Sequence, residues 1–338
     1  MASDPAPDFS KYLATPLAVN WCVTSRCNLA CPYCLESATA AGARDDATRE
    51  ERERIVDELV SCHVLKVYLS GGEPLLVAET PRYAARLHEA GVRVRLTTNG
   101  VLIDECLART LADAGLAAAE VSLHPGTEDG VERGVAALVG ARIPVVLRVV
   151  VTKRNAGRLR AFVERFVGSG VETISFQEVM PLGRASGDLE TGTLSLDEAR
   201  RVRDEVEALR KEFGEDRVAF SSATLSDAEI GHPVPCTLGK GNWKTCEIRP
   251  DGNVIPCAPA VVFGVRNSLH EKGLKRAWQD LPALYREFAE EDPGGACAAC
   301  AFRETCRGGC RAICRQLEGP GGGNPACAFF RSCADGDA

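Results

Sequence analysis

Apolar residues along this chain come in short β-branched runs, and each run is followed by a longer stretch with helical periodicity. Leu17–Val23, Lys66–Ser70, Val92–Thr98, Ala119–Leu123, Pro144–Val151 and Glu172–Phe176 read as strands. Ala43–Val60, Pro81–Ala90, Asp104–Ala114, Gly130–Val139, Gly157–Val167 and Leu196–Phe213 read as the helices that follow them. Strands alternating with helices predict parallel pairing and an α/β architecture. The run Val145-Val146 with Val149-Val150-Val151 fits a strand covered on both faces. The charged run Arg49–Arg54 fits a solvated helix face with opposite charges three and four apart. Alternation stops near Ala223, which puts a boundary at Ser222–His232. Residues 1–16 are then a lead, 17–225 the α/β unit and 226–338 a cysteine-rich unit, with a flexible Gly319–Asn324 loop and a frayed end at Asp335–Ala338.

Unusual residues fall directly after the predicted strands. Cys27-Asn28-Leu29-Ala30-Cys31-Pro32-Tyr33-Cys34 follows the first, and Gly71-Gly72-Glu73-Pro74 the second. Thr97-Thr98-Asn99-Gly100 follows the third, and Ser122 and His124 end the fourth. Thr152-Lys153-Arg154-Asn155 and Met180-Pro181-Leu182-Gly183-Arg184 follow the fifth and sixth. In barrel-like parallel folds chemistry gathers at the C-terminal ends of strands. Turn chemistry alone would spread glycine and asparagine over both rims.

The cysteine loop holds three thiols at spacing three then two. Cysteine thiolate is the usual ligand of iron–sulfur clusters, whereas a structural zinc site usually takes four protein ligands. No fourth ligand stands beside these three, since Cys22 lies upstream in an apolar run. One iron would stay open to a small molecule. CxxxCxxC with Tyr33 before the last cysteine, entered through Val23-Thr24-Ser25-Arg26, resembles the radical S-adenosylmethionine (AdoMet) enzymes. The resemblance implies that Cys27, Cys31 and Cys34 hold a 4Fe–4S cluster whose open iron is chelated by AdoMet. One electron then breaks a carbon–sulfur bond and releases the 5′-deoxyadenosyl radical. It further implies a partial (β/α)6 TIM barrel followed by a small domain with a β-hairpin and short helices.

The same resemblance implies roles along the rim. Gly71, Gly72, Glu73 and Pro74 resemble the family's GGEP motif, which binds the amino group of AdoMet. Glycines allow close backbone approach, and Glu73 can accept from an ammonium donor; an ordinary turn is the other reading. Thr98 and Asn99 would lie near ribose and methionine. Ser122 and Arg148 would reach the methionyl carboxylate. Arg148 stands inside an apolar strand, so it either pairs structurally or binds a ligand anion. Backbone near Leu182 would meet the adenine. Asn155, Thr24 and Arg26 are weaker candidates that also suit caps or turns. Where many relatives carry Ser-Leu-Asp-Gly, this chain has Ser122-Leu123-His124-Pro125-Gly126. His124 is either a substrate contact or proton-transfer group, or a histidine satisfied by backbone.

Toward the C-terminus, Pro250-Asp251-Gly252-Asn253 between apolar residues is a strong hairpin signal. With Cys236, Cys246, Cys257, Cys297-x2-Cys300-x5-Cys306-x3-Cys310, Cys314, Cys327 and Cys333, this resembles the SPASM extension, which usually holds two auxiliary 4Fe–4S clusters. The resemblance implies Cys236, Cys246, Cys257 and Cys310 for the first and Cys297, Cys300, Cys306 and Cys327 for the second, three clusters in all. The spacing of Cys246 differs among relatives; without it the first auxiliary cluster has an open iron. Cys314 and Cys333 are surplus, and structural zinc is the other reading of the set. Cys22, Cys62 and Cys106 fall in apolar patterns and read as buried packing residues.

Composition narrows the rest. The 338 residues are 45% hydrophobic and 26% charged, with formal charge −7, which lends no electrostatic support to a nucleic-acid partner. Met1-Ala2-Ser3-Asp4-Pro5 shows no signal peptide, and Arg148 interrupts the apolar run Pro144–Val151, so no membrane span is expected. Sixteen cysteines without a signal predict reduced, metal-binding thiols in the cytoplasm. The resemblance implies a peptide substrate that is oxidised or crosslinked, as in maturation of ribosomal peptides, and an external flavodoxin- or ferredoxin-type reductant. With only a short lead before the first strand, leader-peptide recognition is expected to fall to a separate protein, or to none. A radical AdoMet dehydrogenase on a small molecule and a non-catalytic iron–sulfur or zinc scaffold are the alternatives.

Overall fold

Each strand alternates two kinds of residue, and that alternation decides where the core lies. The computed structural model describes residues 13–42, 45–187, 192–221, 236, 238, 243–300, 302–324 and 327. Strands β1 (Ala18–Thr24), β2 (Lys66–Gly71), β3 (Arg93–Thr98), β4 (Ala118–Leu123), β5 (Val145–Val151) and β6 (Thr173–Glu178) are parallel neighbours in chain order. Helices α1 (Arg49–Ser61), α2 (Thr80–Glu89), α3 (Glu105–Asp113), α4 (Glu128–Gly140) and α5 (Leu159–Phe166) connect them. Val67, Leu69, Val94, Leu96, Val121, Leu147, Val149 and Phe176 belong to the main buried core with Ile55, Leu59, Tyr83, Leu87, Leu138 and Phe166 of the helices. Burying each such side chain contributes about 1.5–3 kcal/mol.

The opposite face of the sheet is polar. Asn20, Ser70, Arg95, Thr97, Glu120, Ser122, Arg148, Ser175 and Gln177 occupy the intervening positions. The expectation that Val145–Val151 is covered on both faces holds fully on the helix side, where Val145, Leu147, Val149 and Val151 are buried; on the other face Val146 and Val150 flank Arg148 and are only half-buried. Register carries the polar residues into a shared interior, with Ser122 opposite Arg148 and Arg148 opposite Ser175.

The sheet is larger than six strands. A short strand β7 (Val218–Ser221) adds in parallel beside β6 after the Leu196–Phe213 helix. At the other end β8 (Thr245–Ile248) adds in parallel beside β1, and β9 (Val254–Ile255) turns back on it through the Pro250–Asn253 hairpin. The order is β7-β6-β5-β4-β3-β2-β1-β8-β9, an open sheet and not a closed barrel. The cysteine-rich region thus begins on the edge of the same sheet. The Ser222–His232 boundary and the Asp335–Ala338 end lie outside the described residues.

Helix α1 starts later than its charge pattern predicts. Thr48 caps it by accepting from Glu51 N, while Glu51 returns the bond to Thr48 N. Its charged run is only partly a solvated face: Glu53 pairs with Arg82 and Arg86 of α2, and Arg52 Nε donates to Val23 O at 2.9 Å. Among the described residues no helix is long and apolar enough to cross a membrane.

Candidate active site

The cysteine loop leaves β1 where its pairing with β2 shifts, between Cys22 and Thr24. Three neighbouring segments then hold it. Asp46 accepts from Ser25 N at 3.0 Å and from the hydroxyls of Thr24 and Ser25. Gly72 N donates to Thr24 O at 2.8 Å and Glu73 N to Arg26 O at 2.7 Å. Arg184 donates from Nε to Cys31 O and from Nη1 to Ala38 O, both at 2.8 Å. A Cβ on Gly71 would stand 2.5 Å from Thr24 O, and one on Gly72 would stand 2.1 Å from Arg26 O. The two glycines are therefore required by the approach of the loop backbone as well as by any ligand.

Glu73 has a different place from the one expected. Its side chain is fully buried, accepting from Leu75 N at 3.1 Å, Thr98 Oγ1 at 2.9 Å and Asn99 N at 2.8 Å. The carboxylate ties β2 to β3 from behind instead of facing a ligand ammonium. Burial outweighs those three bonds and pushes its pKa up to about 7. Pro74 is buried as the first residue of a short 3₁₀ turn. Asn99 reaches forward, with Nδ2 2.7 Å from Asn28 Oδ1 and 4.0 Å from Cys27 Sγ.

A cavity of about 250 Å³ lies where these parts meet. Cys27, Cys31, Cys34 and Tyr33 line it together with Gly71, Gly72, Thr98, Asn99, Ser122, His124 and Met180. Leu182 is buried and does not line it; Met180, whose carbonyl accepts from Leu182 N, does. Arg148 is half-buried and does not line that cavity. Its Nε donates to Glu120 Oε2 at 2.7 Å, and Arg95 pairs with Glu120 at 3.2 Å. Among the described residues only Nε of Arg148 is engaged, so the structural pairing leaves both terminal nitrogens available. Two arginines on one buried carboxylate leave that trio with a net positive charge. Tyr33 Oη lies 2.9 Å from His124 Nδ1, and burial pulls the His124 pKa down to about 4, so the imidazole is neutral near neutral pH. The partner of His124 is thus a side chain, not backbone alone. Asn155 closes a turn, accepting from Thr152 N and donating to Val150 O, both at 2.8 Å.

The loop thiols suit a metal cluster. Burial and the neighbouring sulfurs of Cys34 and Cys27 push Cys31 up to about 11. Such thiols stay protonated until metal replaces the proton. Leu29 N donates to Cys27 Sγ at 3.4 Å, the kind of bond that steadies a ligating sulfur.

The C-terminal cysteines form two groups. Cys257 lies within electrostatic reach of Cys310 and Cys236, and Cys310 within reach of Cys236. Cys306 lies within reach of Cys327 and Cys297, and Cys297 within reach of Cys300. Asn324 N and Phe302 N donate to Cys297 and Cys300 sulfurs at 3.3 and 3.4 Å. Cys246 corrects the expected ligand set. It pairs in β8 opposite Val19, is 2% exposed, and shares the helix-facing core with Ile248. Burial raises its pKa, followed by Glu247 and Cys62, and none of Cys236, Cys257 or Cys310 contributes. Among the described residues the first group therefore holds three thiols. Cys314 is buried on the helix Arg311–Glu318 and donates to Gly308 O at 3.1 Å, between the two groups. Cys333 lies outside the described residues. Cys22 and Cys62 are buried as expected, whereas Cys106 is exposed on α3.

Sequence reasoning missed Asp46, Glu120 and a buried network at the β1–β8 seam. There Arg249 bonds Glu36 at 2.6 Å and Glu247 at 2.7 Å, and Asn20 Nδ2 donates to Glu247 at 2.6 Å. Glu36 stands two residues after Cys34, so this network fastens the cysteine loop to the C-terminal hairpin.

Residues 21–191 match the radical SAM superfamily. The chain belongs to that superfamily. Residues 236–301 match SPASM, an iron–sulfur cluster-binding domain. S-adenosylmethionine and iron–sulfur clusters are accordingly the cofactors of this radical SAM enzyme. It is 29% identical over 319 residues to the PqqA peptide cyclase of Xanthomonas axonopodis pv. citri, covering 90% of this chain and 85% of the relative. It is also 29% identical over 325 residues to the mycofactocin maturase MftC of Mycolicibacterium smegmatis, covering 90% and 80%. Among solved structures, Streptococcus suis SuiB bound to S-adenosylmethionine superposes with TM-score 0.73 at 19% identity over 93% of this chain and 77% of that one. anSMEcpe with bound AdoMet and the Cp18Cys peptide gives 0.70 at 18% identity over 96% of each. At those identities the likeness is one of fold.

Proposed function

We propose that this radical SAM enzyme modifies a peptide, oxidising it or closing a crosslink within it. The observation that carries the reading is the single cavity lined by all three loop cysteines, both glycines, Thr98, Asn99, Ser122 and His124. Similarity to a peptide cyclase over 90% of the chain favours a peptide over a small molecule. With cluster and AdoMet bound, the site supplies a 5′-deoxyadenosyl radical able to abstract hydrogen from an unactivated carbon.

The residues divide the remaining work. Cys27, Cys31 and Cys34 hold the cluster, and the backbone at Gly71–Gly72 faces the amino group of AdoMet. Thr98 and Asn99 sit at the ribose side. Ser122 and the terminal nitrogens of Arg148 would hold the carboxylate, which the net positive charge of the Arg95–Glu120–Arg148 trio favours. Backbone at Met180–Leu182 borders the adenine. Neutral His124, steadied by Tyr33, contacts the substrate. Cys236, Cys257 and Cys310 would hold one auxiliary cluster, and Cys297, Cys300, Cys306 and Cys327 the other. Clusters held there would be able to accept the electron left on the substrate. A flavodoxin- or ferredoxin-type protein supplies the first electron, and a separate protein presents the leader of the peptide.

Anaerobic incubation with dithionite, AdoMet and a short peptide encoded beside the gene tests the reading. The expected result is 5′-deoxyadenosine together with a peptide lighter by two hydrogens. AdoMet cleavage that responds to a small-molecule substrate and to no such peptide would overturn it.

A further inference from the structure

Among the described residues Arg311 is the only lysine or arginine that is buried outright, at 4% exposure. It directly follows Cys310 and opens the helix Arg311–Glu318. Its Nη2 donates to Glu291 Oε2 at 3.2 Å, and Glu291 in turn receives Gly321 N. Its Nε and Nη1 are buried with no hydrogen-bond partner among the described residues. Arginine keeps its charge in any protein environment, and a buried N–H without an acceptor is costly enough to demand an explanation. The guanidinium lies within electrostatic reach of the sulfurs of Cys297, Cys310 and Cys314. Cys297 belongs to one cysteine group and Cys310 to the other. Two orphan donors on a fixed positive charge are thus set between two collections of sulfur.

We propose that Arg311 is a cation shared by the two auxiliary iron–sulfur clusters, with Nε–H and Nη1–H donating to cluster sulfur and holding both reduction potentials up. This rests on Cys236, Cys257 and Cys310, and Cys297, Cys300, Cys306 and Cys327, being the ligands. Each cluster gains one negative charge on reduction. A nearby cation and N–H donors to sulfur stabilise the reduced form more than the oxidised form. Glu291 holds the guanidinium in place through Nη2 and withholds part of its charge.

Potentials of the reconstituted full chain, followed by EPR through a redox titration, test this. Arg311→Met should shift the auxiliary reduction equilibria at least tenfold toward the oxidised form, about 59 mV for a one-electron couple. The AdoMet-binding cluster should not move. Arg311→Lys keeps the charge without the planar fork and should shift them less. Glu291→Gln removes the competing carboxylate and should shift them the other way. A merely structural Arg311 would make Arg311→Met and Glu291→Gln lose stability alike and leave every potential in place, which would overturn the proposal. Should Arg311→Met fail to fold, the opposite shifts of the Lys and Gln variants decide it, and unmoved potentials in both count against it. Iron and sulfide counts separate the two readings. A wild-type chain lacking auxiliary clusters defeats the ligand assignment, whereas both clusters present with unmoved potentials defeats the role of Arg311 alone.

Discussion

Cys27, Cys31 and Cys34 sit in one short loop, whereas Cys236, Cys257 and Cys310 arrive from three segments far apart in sequence. The loop gains its shape from outside: Asp46, Gly72, Glu73 and Arg184 grip its backbone from other parts of the chain. The C-terminal groups are assembled the other way, by folding thiols toward one another from separate turns and a helix start. In the first region ligand spacing is written in the sequence and the geometry is borrowed. In the second, geometry decides which cysteine is a ligand at all, and Cys246 is excluded by the face of its strand.

The largest break in this comparison comes from replacing Cys27, Cys31 and Cys34 by alanine. Release of 5′-deoxyadenosine should fall to nothing. Iron should drop from about twelve to about eight per chain, because the C-terminal groups do not depend on the loop for their ligands. Iron analysis beside chromatography of the AdoMet products checks both halves. Loss of all iron would show that the two regions load as one unit.

Arg249 is where the regions touch, and Arg249→Met comes next in size. Arg249 is 13% exposed, Glu36 18% and Glu247 2%. Removing one partner strands two buried carboxylates, which costs about 3–5 kcal/mol. The denaturant midpoint should fall accordingly, and adding Glu247→Gln should restore part of it. No shift in midpoint would mean that loop and hairpin are held together elsewhere.

What could be read without coordinates follows the same division. Six strands and the rim motifs were legible because parallel strands end in loops that carry their own signatures. The Pro250–Asn253 hairpin was legible from its turn residues. Strand β7 was not, since Val218–Ser221 is too short for a periodicity and forms only by pairing with Ile174–Gln177. Cys246 was misplaced for a related reason. Alternation says that Cys246 and Glu247 face opposite ways, but only pairing with Val19 and Asn20 says which way is in. Glu73 belonged visibly to the site, yet its direction depends on Thr98 and Asn99, a strand later. The dual position of Arg148 needed Glu120, whose negative charge in the middle of β4 had no pattern to announce it.

Glu73 offers a pH test of how firmly the loop is gripped. Its carboxyl is raised from 4.5 to about 7 in the folded chain. The folded state therefore binds a proton that the unfolded state has released between those values. Its stabilising contribution is fully present below about pH 4.5 and is lost as pH rises through about 7, a change of about 3 kcal/mol. Glu73→Gln should flatten that part of the stability profile, measured by urea midpoints from pH 5 to 8. A wild-type midpoint that rises across the range at this position, with the difference gone in the variant, would mean that the donors from Leu75, Thr98 and Asn99 outweigh burial.

The smallest expected effect lies between Tyr33 and His124, and it asks whether one more polar contact matters in a loop already gripped by Asp46, Arg184 and the Gly72–Glu73 backbone. Tyr33→Phe removes one hydrogen bond of 2.9 Å and leaves His124 Nδ1 without its partner. The loss should be about 1 kcal/mol. The three loop sulfurs and their backbone clamps are untouched, so iron content should stay at the wild-type value. Because burial keeps His124 neutral near pH 7, the variant should leave the pH profile of AdoMet cleavage unchanged between 6 and 8 while weakening coupling to the substrate. A lost cluster in Tyr33→Phe would instead make the phenol a further clamp on the loop, beside Asp46 and Arg184.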